Sequence, residues 1–111
     1  MSSRLPTHLA IGALLRRVND SGGLAVVRAR GEPQGGAILV LIAEGRGLRV
    51  IERMRGLDDR DALVAAGPES NETAMLEDYW QNRRRRDPDL WVIELDVPDA
   101  ERFVAETILS H

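Results

Sequence analysis

Cysteine and lysine are both missing from this chain. Without a thiol there is no thiol nucleophile, no CxxC redox pair, no thiolate zinc site and no disulfide framework of the secreted kind. Histidine is scarce as well. His8 and His111 are too few for a multi-histidine metal centre, and no GxSxG elbow stands beside them to suggest a Ser-His-Asp triad. No catalytic residue, cofactor or metal is therefore expected. Long apolar runs are also lacking: in MSSRLPTHLAIGALLRR the only candidate is interrupted by Gly12 and closed by Arg16 and Arg17, so neither a signal peptide nor a membrane span is expected. The resulting expectation is a soluble, cytoplasmic protein with no membrane partner. All fifteen basic residues are arginine, and eighteen carboxylates leave a net charge of −3. That sign is opposite to the one a general nucleic-acid binder carries, and no nucleic-acid partner is expected.

What is present is the make-up of a globular domain. At 111 residues, 43% hydrophobic and 30% charged, the chain fits one compact domain over residues 1–111. A domain of this size buries roughly 65% of its unfolded surface, enough to fold without metal or disulfides. Pro6-Thr7 offers an entry and a cap to a first helix, in which Ile11, Leu14, Leu15 and Val18 recur at helical spacing. Asp20-Ser21-Gly22-Gly23 stops it. Leu24 to Arg30 reads as a half-buried strand, with Ala25, Val27 and Ala29 facing one way and Val26, Arg28 and Arg30 the other. After GEPQGG, Ala37 to Ala43 is apolar throughout; it needs cover on both faces and so predicts the central strand. Glu44-Gly45-Arg46-Gly47 signals a hairpin into Leu48 to Met54, where Leu48, Val50 and Met54 share a face. Asp58-Asp59 marks a further turn before a short strand over Ala62 to Ala66, and Gly67-Pro68 ends it.

The second half repeats these signals. Ser70 or Asn71 can cap a helix whose Met75, Leu76, Tyr79 and Trp80 form a narrow apolar stripe. Its carboxylates Glu72, Glu77 and Asp78 lie towards the positive end of the dipole and Arg83 to Arg86 at the negative end. Pro88 forces the helix to break at Asp87. Trp91, Ile93, Leu95 and Val97 then alternate with Leu90, Val92, Glu94 and Asp96: one face is wholly apolar, while the other turns acidic along the strand. Pro98-Asp99 opens a last helix with Ala100, Phe103, Val104, Thr107 and Ile108 inward. The fold class is α+β, with a mainly antiparallel sheet of four to five strands packed by three helices in the order α-β-β-β-β-α-β-α.

Several polar features invite a functional reading, and each has a structural rival. The arginine tetrad beside Trp80 and Trp91 looks like a nucleic-acid patch. Glu77, Asp78, Asp87 and Asp89 match it charge for charge, so little counterion release is available, and a dipole-compensating helix end is the better account. GEPQGG precedes a strand and lacks the Lys-Ser/Thr ending of a phosphate loop, so it reads as a connection in which Glu32 pairs with Arg30 or caps the turn. Glu94 and Asp96 share the i, i+2 spacing of Arg28 and Arg30. Such carboxylates can hold a cation or share a proton, but if the strands are neighbours they form cross-strand ion pairs. Asp87 and Asp89, flanking Pro88, read as turn formers.

Three segments carry a resemblance: ALLRRV (Ala13 to Val18), RGEPQGGAILV (Arg30 to Val40) and DPDLWVIELD (Asp87 to Asp96). In order and spacing they resemble the small alphaproteobacterial proteins grouped as Domain of Unknown Function 1491. The likeness spans roughly residues 4 to 97, with DPDLW its sharpest element. This chain departs from the pattern in having Glu32 where an aspartate is more usual. The resemblance implies a bacterial, cytoplasmic, single-domain protein and carries no activity.

The expected function is a non-enzymatic binding or interaction module, self-associating as a homodimer, because the central strand, the Trp91 face and the Tyr79-Trp80 stripe need more cover than three short helices provide. An unidentified protein or small-molecule ligand is the other partner class. The rival is a small enzyme or ligand-binding domain built on Arg28, Arg30, Glu32, Asp87, Asp89, Glu94 and Asp96. Convergence of these groups on one concave site favours the rival; pairing off on a convex surface removes it. Tyr79, Trp80 and Trp91 complete the candidate interface residues.

Overall fold

The computed structural model describes residues 5–55 and 60–109. The expected turn at Asp58-Asp59 and the terminal His111 lie outside these residues. The elements follow the expected order: α1 (Thr7–Asp20), β1 (Leu24–Ala29), β2 (Ile38–Glu44), β3 (Gly47–Arg55), β4 (Asp61–Ala65), α2 (Thr73–Arg86), β5 (Trp91–Asp96) and α3 (Ala100–Ile108). The five strands form one mixed sheet in the order β1-β5-β2-β3-β4. Three of the four pairings are antiparallel, and β2 with β5 is parallel, Val40 lying beside Ile93.

Apolar residues on both faces of β2 and β5 require a layer above and a layer below, and the helices supply them. On one face Ile38, Val40, Ile42, Ile51, Trp91, Ile93 and Leu95 meet Ile11, Leu14 and Val18 of α1 and Ala100, Val104 and Ile108 of α3. On the other, Leu39, Leu41, Leu48, Val50, Leu90 and Val92 meet Leu76 and Trp80 of α2. Ala37 to Ala43 therefore becomes the middle strand of the five, as its unbroken apolar run requires.

The helix starts differ in detail from the sequence reading. Pro6 occupies the N-cap of α1 with no side-chain cap bond. The first N–H groups go instead to the loop before β2: Thr7 N donates to the Gln34 carbonyl at 3.2 Å and His8 N to the Pro33 carbonyl at 2.9 Å. In α2 the cap position belongs to Glu72 rather than Ser70 or Asn71, and the Ser70 hydroxyl accepts from Glu72 N just ahead of the helix. Asp87 ends α2, where Pro88 requires it. Asp99 enters α3 in the left-handed region, with φ 56°.

Candidate functional site

Most of the candidate residues fall into two groups about β5, with Asp96 and Tyr79 apart from both. The first group lies where β1, β5 and α2 meet. Val26 stands beside Glu94 in the β1–β5 register, and Arg28, two residues on, reaches the same carboxylate. Arg28 also binds Glu77 on α2 at 3.0 Å and lies over the Trp80 ring, 5.2 Å from its centre. Trp80 Nε1 closes the cluster by donating to the same Glu77 carboxylate at 2.8 Å. Burial works against the Arg28 charge, but its hydrogen bonds to Glu77 and Glu94 outweigh it and raise the guanidinium pKa above its ordinary value. One cation here bridges two carboxylates through hydrogen bonds. That arrangement fixes strand register and helix docking and leaves no acid or base in search of a partner.

The second group surrounds the loop before β2. The Glu32 carboxylate accepts from Gln34 N at 2.8 Å, capping its own turn as expected. The Asp87 carboxylate accepts from Asp89 N at 3.1 Å, the turn-forming role assigned to this pair. The two turns are stitched together, because Glu32 N donates to the Asp89 carbonyl at 3.0 Å and Trp91 Nε1 donates to the Glu32 carbonyl at 2.7 Å. Gly31 and Gly36 both press on the Asp89 carbonyl so closely that a Cβ at either would collide with it. The first and last glycines of GEPQGG thus serve close backbone approach rather than a phosphate. Arg30 stacks over Trp91 at 5.2 Å, not on Glu32 or Asp96. A register shift between Val27 and Ala29 explains this: Arg28 is the extra residue of a bulge, so Ala29 turns inward beneath α2 and Arg30 crosses to the other face. Asp96 sits exposed beside Leu24 at the far end of the strand pair.

The arginine tetrad is anchored by contacts that sequence arithmetic missed. Arg83 forms a two-point ion pair with Glu52 of β3, its second bond being 3.1 Å, and also donates to the Tyr79 hydroxyl at 3.2 Å. The Glu52 bond leads in raising the Arg83 pKa, against the opposing effect of burial. Arg84 donates to the Arg30 carbonyl at 2.7 Å, while Arg85 and Arg86 face solvent. Glu77, counted in the sequence as a neighbour of the tetrad, serves Arg28 instead. Glu52 had a legible signal: it is the one charge on the strand face shared by Leu48, Val50 and Met54.

Three clefts of about 260 to 330 Å³ indent the described surface elsewhere: between α3 and the β2–β3 hairpin, between that hairpin and the start of α2, and along α1 and α3 around Phe103. None of these three is lined by a candidate residue. Among the described residues no group of three or more His, Cys, Asp or Glu is placed to hold a metal ion. Nor is any helix among them long and apolar enough to cross a membrane.

Comparison with known proteins gives a family and a fold. The family model described as "Protein of unknown function (DUF1491)" matches residues 5–105. A crystal structure of a DUF1491 family protein from Caulobacter crescentus CB15 is 29% identical, with a TM-score of 0.80 over 89% of this chain and 94% of that one. An NMR structure of a DUF1491 family protein from the same organism gives 28% identity, 91% and 93% coverage and a TM-score of 0.78. The solution structure of protein Atu0922 from A. tumefaciens gives 27% identity, 96% and 93% coverage and a TM-score of 0.70. No protein of curated function matches the chain.

Proposed function

The chain belongs to the DUF1491 family, whose description carries no activity, and we propose that it is a non-enzymatic interaction module of the bacterial cytoplasm that acts as a self-associated species. The observation that carries this reading is on β1. This strand ends the sheet order, paired on one side with β5, yet Leu24 and Val26 on its α2-facing side are 67% and 51% exposed. Open strand edges with apolar side chains are surfaces on which another chain adds.

The rival reading, a small enzyme or ligand-binding domain, requires Arg28, Arg30, Glu32, Asp87, Asp89, Glu94 and Asp96 to act on one bound molecule. Their division into an ion-pair cluster, a pair of stitched turns and an isolated Asp96 speaks for the interaction module. Light scattering at increasing micromolar concentration tests the proposal. The expected result is a mass approaching twice 12.3 kDa; a mass that stays at the monomer value at every concentration removes it.

A further inference from the structure

We infer that copies associate through the outer edge of β1, paired antiparallel with the same strand of a second copy about a two-fold axis at Val26. This rests on the self-associating reading and adds to it a surface and a register. A two-fold axis normal to a sheet sets one residue opposite its own copy, because side chains opposed in an antiparallel pair lie on the same face. The choice is then among Ala25, Val26 and Val27. Ala25 and Val27 already pack against the α1 and α3 layer. Val26 is on the open face, and a Val26–Val26 contact buries apolar surface that a single copy leaves in water.

The charges along the strand favour the same register. β1 runs from Leu24, whose neighbour on β5 is the exposed Asp96, to Arg28 at the bulge and Arg30 beyond it. Antiparallel pairing about Val26 sets Arg28 of one copy opposite Leu24 of the other, with Asp96 on the next strand. The arginine end of each copy lies against the acidic end of its mate, twice over. At the centre the carboxylate flanking Val26 is Glu94, and Arg28 of the same copy already holds it, so the two-fold brings no bare like charges together. At the opposite edge, β4 is five residues long and begins with Asp61, and its exposed Val64 shows less surface than Leu24 or Val26.

The absence of cysteine makes the test direct, since V26C introduces a single thiol. Residues opposed across an antiparallel pair come close enough for a disulfide. Under oxidised glutathione, V26C is expected to give a covalent dimer in several-fold higher yield than M75C, whose thiol would sit on the exposed surface of α2, and thiol reductant should reverse it. V26D, at an exposed position, should return the protein to the 12.3 kDa mass with an unchanged circular dichroism spectrum. If the parent scatters as a dimer while V26C cross-links no better than M75C, this surface is wrong and self-association stands. If the parent is a monomer at every concentration, both fall.

Discussion

Trp91 joins the core to the loop before β2 and to the end of β1. Its ring is 1% exposed in the core beneath α1 and α3, its Nε1 holds the Glu32 carbonyl and its face carries Arg30. Trp91→Ala is expected to cost about 3 to 5 kcal/mol, the range for emptying a buried aromatic site. Trp91→Phe keeps most of the packing and forfeits the hydrogen bond, about 1 kcal/mol. Urea unfolding midpoints measure both, and a near-parental midpoint for Trp91→Ala would contradict the packing described here. The inward set of β5 was legible because strict alternation survives along the whole strand. On β1 the same logic assigned Ala29 and Arg30 to the wrong faces. A bulge adds one residue without changing composition, so a period of two cannot reveal it.

At the scale of elements, α1 and α3 are tied by a surface relay in which Arg17 and Arg102 both bind Glu106, at 2.9 and 3.0 Å. The hydrogen bond from Arg17 leads in lowering the Glu106 pKa below its ordinary value, followed by that from Arg102. A carboxylate with a depressed folded-state pKa contributes stability above its unfolded value, and that contribution is lost as pH falls through the folded one. The pair is solvent-exposed, so the effect on global stability is small. NMR titration of the Glu106 carboxyl should show a midpoint below that of a model glutamate, moving upward in Arg17→Ala. An identical midpoint in the two proteins would show that the relay does not persist in solution. The element series itself was readable because each helix carries an apolar stripe and each break has Gly, Pro or Asp. The caps were not readable. Carbonyls of Pro33 and Gln34, far along the chain, receive the first N–H groups of α1, and local sequence holds no sign of a tertiary cap.

For the whole molecule, acidic net charge and an anchored arginine tetrad give the same expectation. Single-stranded RNA should bind no more tightly than the weak non-specific range of about 10⁻⁴ to 10⁻⁶ M at physiological salt. Fluorescence anisotropy checks this, and a tight, steeply salt-dependent isotherm would contradict it. The strand order was beyond the reach of pattern reading, because hydrophobic period reports which face is buried and not which strand is the neighbour. That order also governs how the chain can assemble. β5 is the last strand in sequence, yet it lies between β1 and β2, the first two. Until it arrives, β1 has no partner, β2 has one open side, and the apolar rows meant for Ile93 and Leu95 are in contact with water. Local hairpins over β2, β3 and β4 can form early, but closing the sheet requires a late segment to pair with β2 and then with β1 on its other edge. Such long-range closure slows folding, and it leaves a ribosome-bound chain without a complete core until β5, and then α3 with Val104 and Ile108, has emerged.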